Sequence, residues 1–241
     1  MEKSYEKKYH KLEEKNWWFI SRRDIIFFLI KKMDLPKDAK ILEIGCSGGS
    51  LMKILNENGY HNITGIDISE DAINLCKERG VDAKVMDGAK ILFEDNKFDL
   101  IIASDILEHI KNEGAALSEW NRVLKTSGKL IIFVPAFNLL WSKHDEINKH
   151  YRRYDKEELS KKLKGADFKL YKSSYWNFFL FFPLCFINIF EHFLKKPKDH
   201  LRELNPLINK ALIILLKIEK FFLNYRSLPI GVSVFIIGIK K

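Results

Sequence analysis

The segment KILEIGCSGGSLMKILNENGYHNITGIDIS, residues 40 to 69, constrains this chain's fold more than any other. A short apolar run ends in a glycine cluster, a helix-like stretch follows, and a second apolar run closes on Asp67. A helix that follows a strand presents unpaired backbone N–H groups, and glycine lets a ligand come close to the backbone. The turn reads EIGCSGG, so Glu43, Gly45, Ser47 and Gly49 occupy alternate positions. A dinucleotide-binding turn needs GxGxxG to seat a pyrophosphate on the helix end, and the GxxGG spacing here fits that poorly. Asp67 lies about 20 residues on, at the end of the second strand, where a carboxylate accepts both hydrogen bonds of a ribose diol. A ribose without a pyrophosphate is therefore expected. Taken singly, Asp67 is also consistent with a helix cap and the glycines with a plain turn.

Apolar β-type runs alternate with amphipathic stretches from residue 40 to about residue 175: KILEIG, NITGID, VDAKVM, FDLIIAS, KLIIFV and FKLYKSSYW. Helices are expected near 49 to 59, 69 to 79, 113 to 126 and 155 to 164. That alternation is the pattern of a parallel sheet wrapped by helices on both faces. Ser69 reads as an N-cap ahead of acidic residues, with a stop at Gly80, and a second helix is expected to end at Gly128 after Arg122 and Lys125. The last run, GVSVFIIGIKK, is strand-like.

The chain is long enough for one sizeable core, and 46% hydrophobic with 30% charged residues excludes a disordered or polytopic membrane chain. Three dispersed cysteines, Cys46, Cys76 and Cys185, argue against a disulfide framework or a zinc site and fit a reducing cytoplasm. The charged start, MEKSYEKKYHKLEEKN, carries no secretory signal. A net charge of +9 attracts nucleic acid, anionic lipid heads or phosphorylated small molecules without choosing among them, and Lys-rich, Ile-rich usage is also a genome's habit.

At EIGCSGG the chain resembles the class I S-adenosylmethionine-dependent methyltransferases, whose first motif is E/DxGxGxG; Ser47 stands at the middle glycine. VMDGAK, FDLIIASDILEHI and RVLKTSGKLIIFVP continue the resemblance in order, over roughly residues 38 to 135. The resemblance implies an α/β, Rossmann-like, doubly wound, mostly parallel seven-stranded sheet in the order 3-2-1-4-5-7-6, its last strand antiparallel. It implies one domain, with an N-terminal helical lid at 1–35, a cofactor-binding core at 36–175, a helical insertion at 176–228 and a final strand at 229–241. Glu43, Gly45, Ser47, Gly49, Asp67, Ile68, Asp87, Gly88, Ser104 and Asp105 would hold S-adenosylmethionine, Asp87 at the adenine amino group. Glu108 and His109 would lie near it. Methyl transfer from a sulfonium is an in-line displacement that needs a positioned nucleophile in a dry site, and no metal is expected.

An oxygen nucleophile gains from a general base, for which His109, His144 and His150 are candidates. The segment WSKHDEINKHYRRYDKEEL packs aromatic, histidine and arginine side chains densely. Trp141, Arg152, Arg153 and Tyr154 are expected to bind an anionic acceptor through guanidinium forks, with solvated arginines before a helix capped by Asp155 as the alternative. Trp18 and Arg22, on a helix rich in aromatics, join them as lid residues, or equally as core.

NFFLFFPLCFINIFEHFLKK is too short and interrupted to span a bilayer, which takes about 20 apolar residues. The next helix carries Leu204, Leu207, Ile208, Ala211, Leu215, Ile218 and Phe222 on one face, with Lys210, Lys217 and Lys220 toward the other. Residues 178–222 therefore suit an anionic membrane surface or lipid-like acceptor, packing over an acceptor pocket, or a homodimer contact. The expected function is methyl transfer to a small-molecule or lipid- or saccharide-linked acceptor by a cytoplasmic protein, peripheral at the inner membrane face if the insertion binds lipid. An RNA methyltransferase, and a non-catalytic membrane-surface or partner-binding protein with a vestigial pocket, are the alternatives. No appended RNA-binding module is visible, so nucleic acid is not the expected partner.

Overall fold

The computed structural model describes residues 3–193 and 203–241. Seven strands form one sheet: β1 (Ile41–Ile44), β2 (Ile63–Asp67), β3 (Ala83–Val85), β4 (Phe98–Ser104), β5 (Leu124–Pro135), β6 (Phe168–Trp176) and β7 (Ser233–Lys240). Their order is β3-β2-β1-β4-β5-β7-β6, parallel except for β7, which runs antiparallel to both neighbours. The expected topology is the one observed. The helices are α1 (Lys3–Glu13), α2 (Trp17–Lys32), α3 (Ser50–Glu57), α4 (Glu70–Glu78), α5 (Glu113–Val123), α6 (Lys143–Ile147), α7 (Lys156–Gly165), α8 (Phe181–Phe193) and α9 (Pro206–Leu223).

The sheet is apolar on both faces because successive side chains of a strand point to opposite sides and both sides are covered. Ile41, Leu100, Ile102, Ile131, Phe133 and Phe235 join one core with α2, α3 and α4. Leu42, Ile101, Ile132, Val234 and Ile236 join the other, with Ala116, Leu117 and Trp120 of α5 and Leu159 and Leu163 of α7. The helix starts follow from local chemistry. Ser69 Oγ accepts from Ala72 N at 3.1 Å, Asp155 from Glu158 N at 2.7 Å, and Asn16 from Trp18 N at 2.9 Å.

One expectation is corrected. The helix expected to run to residue 126 stops at Val123, and Leu124 opens β5 opposite Phe98. Pairing resumes at Leu100 with Lys129, so 125–128 bulge from the ladder, with Ser127 at φ 63° and Lys125 turned to Asp99 at 2.7 Å. α9 is rotated so that Leu216, Glu219 and Leu223 face inward, while Leu207 is 78% exposed and Ile208, Ile218 and Phe222 also face outward. Glu219 sets that rotation, because its buried carboxylate accepts the backbone N–H groups of Asn177 and Phe178 just ahead of α8. Lys220, on the face opposite the apolar one, pairs with Asp24 of α2. Part of the apolar insertion, 194–202, lies outside the described residues.

The carboxyl ends of β1 to β6 share one edge, and β7 begins there, with Ser233 opposite both Pro135 and Trp176. The segment carrying α8 and α9 thus leaves and re-enters the sheet at the same edge. Gly231 makes the re-entry possible: a Cβ there would stand 2.4 Å from the Trp176 carbonyl oxygen, which is backbone and cannot step aside. Gly231→Ala is expected to destabilise the protein by about 1–3 kcal/mol, read as a lowered denaturation midpoint; an unchanged midpoint would show that this junction yields freely.

Candidate active site

At the edge of the sheet, β1 passes into α3 through Gly45 (φ 72°), Ser47 (φ 47°) and Gly49 (φ 77°). A Cβ on Gly45 would fall 1.9 Å from Ile106 Cδ1, and one on Gly49 would fall 2.7 Å from Val81, so both positions need glycine for space as well as for conformation. Asp67 fixes the turn: Oδ2 accepts Ser47 N at 3.0 Å and Oδ1 accepts Ser69 N at 2.9 Å.

A cavity of about 300 Å³ opens beside this turn. Its floor is Glu43, Gly45, Cys46 and Ser47 of the turn with Ser104, Asp105, Glu108 and His109 of the β4 tip. α1 and α2 cover it with Tyr9, Glu13, Trp18 and Arg22, and the β5–α7 connection supplies His144, His150 and Arg153. Leu184, Ile187 and Asn188 of α8 close the far side. Glu43 is buried and its Oε2 has no partner among the described residues. Burial first, and Glu13 second, push its carboxyl well above the usual range. A cationic group entering beside Gly45 would relieve both.

Arg22 is buried between the rings of Trp18, Phe133 and Trp176, its guanidinium carbon 4.9, 4.4 and 4.5 Å from their centroids. Nη2 donates to Ser233 Oγ at 2.8 Å and meets Asp105 Oδ1 at 3.2 Å, while Nε and Nη1 have no partner among the described residues. Asp105 itself takes a left-handed conformation, φ 57°, which turns the chain sharply off β4. Glu108 is fully buried with neither oxygen partnered, and burial, then Asp105, raise its carboxyl well above the usual range.

The histidines meet here. The rings of His109 and His150 lie 4.5 Å apart, and those of His144 and His150 6.0 Å apart, both pairs near perpendicular. Burial, then His150, pull His109 down to about 4, so its ring is neutral at physiological pH. His150 Nδ1 is 2.9 Å from Asp145 Oδ1, and Arg153 grips the same carboxylate through Nε at 2.8 Å and Nη2 at 2.9 Å. Burial opposes ionisation of Asp145, but His150 and Arg153 outweigh it and hold the carboxyl well below its usual range.

The structure brings together Glu43, Gly45, Ser47, Ser104, Asp105, His109, His144, His150, Trp18, Arg22 and Arg153. Asp67, Ile68, Asp87, Gly88 and Gly49 lie along the same edge but outside this cavity, and Ile68 is 75% exposed. α1 separates the two regions. Ser47 Oγ meets Glu13 Oε2 at 3.3 Å and His10 Nδ1 at 3.2 Å, and Arg79 ties the Gly48 carbonyl to Glu14. Trp141, Arg152 and Tyr154, expected to bind the acceptor, are outside as well. Tyr154 is buried with its hydroxyl on Glu113 at 2.7 Å, and Arg152 pairs with the same carboxylate at 2.9 Å, so Glu113 draws both away. Sequence reasoning missed Tyr9, Glu13 and Asp145. Only Asp145 carried a signal: the Ser142-x-x-Asp145 capping box that starts α6.

A family model described as a methyltransferase domain matches residues 42–132. An uncharacterized protein of Methanocaldococcus jannaschii is 32% identical over 165 residues, covering 67% of each chain. A tRNA (carboxymethyluridine(34)-5-O)-methyltransferase of Xenopus tropicalis is 30% identical over 136 residues, or 55% of this chain; the match spans only 20% of that longer protein. A solved S-adenosylmethionine-dependent methyltransferase of Thermotoga maritima has the same fold, with a TM-score of 0.61 at 20% identity, covering 99% of this chain and 95% of that one.

Proposed function

Because the chain belongs to the class I S-adenosylmethionine-dependent methyltransferases, we propose that the strand-edge cavity carries out methyl transfer to a small acceptor with an anionic reacting end and an apolar tail. One observation carries this: Glu43, whose Oε2 has no partner among the described residues, the tightly packed glycine at position 45 and the histidine cluster all line a single cavity. Asp67 would hold the ribose, Ile68, Asp87 and Gly88 the adenine, and Gly45, Ser47, Ser104 and Asp105 the methionine arm, whose ammonium would meet Glu43. Bound S-adenosylmethionine supplies the activated methyl group.

The remaining residues would act on the acceptor. Arg22, whose Nε and Nη1 have no partner among the described residues, would donate to its anionic end, Arg153 fixes Asp145, and Trp18 with α8 excludes water from the reacting atoms. His150, oriented by Asp145, and the neutral His109 flank the position of the nucleophile and can take its proton. α8 supports the apolar tail: Leu184 and Ile187 line the cavity, while Phe182, Phe186, Ile189 and Phe190 of the same helix are exposed. With the outward face of α9 they make an apolar surface along which a lipid-linked acceptor would enter. No helix among the described residues is long and apolar enough to cross a membrane.

Calorimetric titration of S-adenosylmethionine into wild type and Asp67→Ala tests the donor half. We expect the affinity to fall about 10- to 100-fold, from the loss of charge-assisted hydrogen bonds worth roughly 1.5–3 kcal/mol. Equal affinity would remove the ribose assignment. Radiolabelled methyl transfer into a lipid extract and into tRNA tests the acceptor, and label in tRNA alone would replace the lipid-linked reading with RNA methylation.

A further inference from the structure

The geometry points to a binding site for one divalent transition-metal cation, formed by Glu108, His109 and His150. A ligand atom from each of the three lies within 4.8 Å of the other two. The carboxylate of Glu108 is fully buried, and neither of its oxygens has a hydrogen-bond partner among the described residues. An ionised carboxylate taken out of water needs a counter-charge or donors, and a cation at this point supplies the missing partner.

The histidines are placed as ligands. Nδ1 of His150 is held by Asp145 Oδ1 at 2.9 Å, and the His109 ring lies edge-on beside it. A ring nitrogen committed to a protein acceptor fixes the tautomer and leaves the lone pair on the opposite nitrogen, the arrangement that metal-ligating histidines use. The two rings stand 4.5 Å apart at 87°, so their edges converge without stacking.

The charges agree. Arg22 is matched by Asp105 at 3.2 Å and Arg153 by Asp145 at 2.8 Å, and no cationic side chain is bonded to Glu108. A divalent ion would neutralise Glu108 and leave one positive charge facing the cavity. Two imidazoles with one carboxylate suit manganese, iron, cobalt, nickel or zinc better than magnesium or calcium, which prefer all-oxygen shells. Three protein ligands leave open positions on the cavity side, where an acceptor oxygen would bind and have its acidity raised by the ion, so that with the cation bound the ion replaces the two histidines in activating the nucleophile. That use rests on the methyl-transfer reading, whereas cation binding does not.

The test is a Co²⁺ titration of tag-free, chelator-stripped protein, without S-adenosylmethionine, followed by calorimetry and visible absorption. One equivalent is expected to bind at micromolar or tighter Kd, displaceable by Zn²⁺. Glu108→Gln and His150→Gln, each checked for native circular dichroism, should weaken binding at least about 100-fold. Glu119→Gln, a distant partly exposed carboxylate, should not. Absence of binding by wild type, equal binding by Glu108→Gln, or the intense near-ultraviolet band of thiolate ligation would overturn the site. Titrating S-adenosylmethionine into the same proteins keeps the two proposals apart: wild type that binds cobalt but not the methyl donor sinks only the methyl-transfer reading.

Discussion

Asp145→Asn should lower the folding free energy by about 3–5 kcal/mol at pH 7, or roughly 10 °C in denaturation midpoint for a chain of this size. Asp145 is fully buried and its carboxylate serves five donors: the His150 ring, two nitrogens of Arg153, and the N–H and hydroxyl of Ser142. Asparagine preserves the shape and removes the charge, leaving the buried Arg153 guanidinium without its counter-ion. The pH dependence follows from the direction of the shift. The carboxyl is held below its ordinary value in the folded protein, so its stabilisation is fully present above the unfolded value of about 3.9 and is lost as pH falls below that. The gap between wild type and variant should therefore be widest at neutral pH and close on acidification below about pH 4. Urea denaturation at several pH values reads this, and a gap independent of pH would mean that Asp145 stabilises by shape alone. Catalytic turnover should fall at least about 100-fold, since His150 loses the group that orients it.

Gly45→Ala should abolish donor binding at accessible concentrations, a loss of at least about 100-fold in affinity, or roughly 3 kcal/mol. The new methyl group would sit 1.9 Å from Ile106 Cδ1 and 2.3 Å from Cγ1, in a backbone conformation, φ 72°, that alanine disfavours. Ile106 follows Asp105, so the clash pushes directly on the β4 tip and on the residues proposed for the methionine arm. The double variant Gly45→Ala/Ile106→Ala separates the causes. It should recover part of the stability because the overlap is gone, while the left-handed backbone still costs about 1–2 kcal/mol. Calorimetry that finds donor affinity unchanged in Gly45→Ala would mean that the ligand does not approach this turn.

The sequence made legible whatever depends on neighbours along the chain. The β1 turn, the caps at Ser69 and Asp155 and the alternation of strands are local patterns, and the strand order came from the resemblance carried by four motifs in sequence. What it concealed depends on partners far away. α5 stops at Val123 because Leu124 pairs with Phe98, which no helical period announces. Arg152 and Arg153 are adjacent and chemically alike, yet Arg153 turns inward to Asp145 and Arg152 outward to Glu113. Which face of α9 turns inward was left open by its amphipathic pattern, and Glu219, which that pattern did not single out, decides it by accepting the backbone amides of Asn177 and Phe178. Tyr9 and Glu13 looked like part of a solvated charge run until α1 lay across Ser47.

The chain departs from β6 and returns into β7 at one edge, between Asn177 and Gly231, and this makes the stretch around α8 an exchangeable cassette, while α9 is fixed by Leu216 and Leu223 in the core beside α2. The ladder of β7 closes the sheet whatever length or shape of polypeptide is spliced into that gap, because none of its rungs comes from the splice. The residues proposed to hold the donor sit on the opposite half, around β1, β2 and β4. Swapping the cassette would retune which molecules are modified while the half that handles the donor is inherited intact, so one scaffold could diversify its targets without reinventing its reaction.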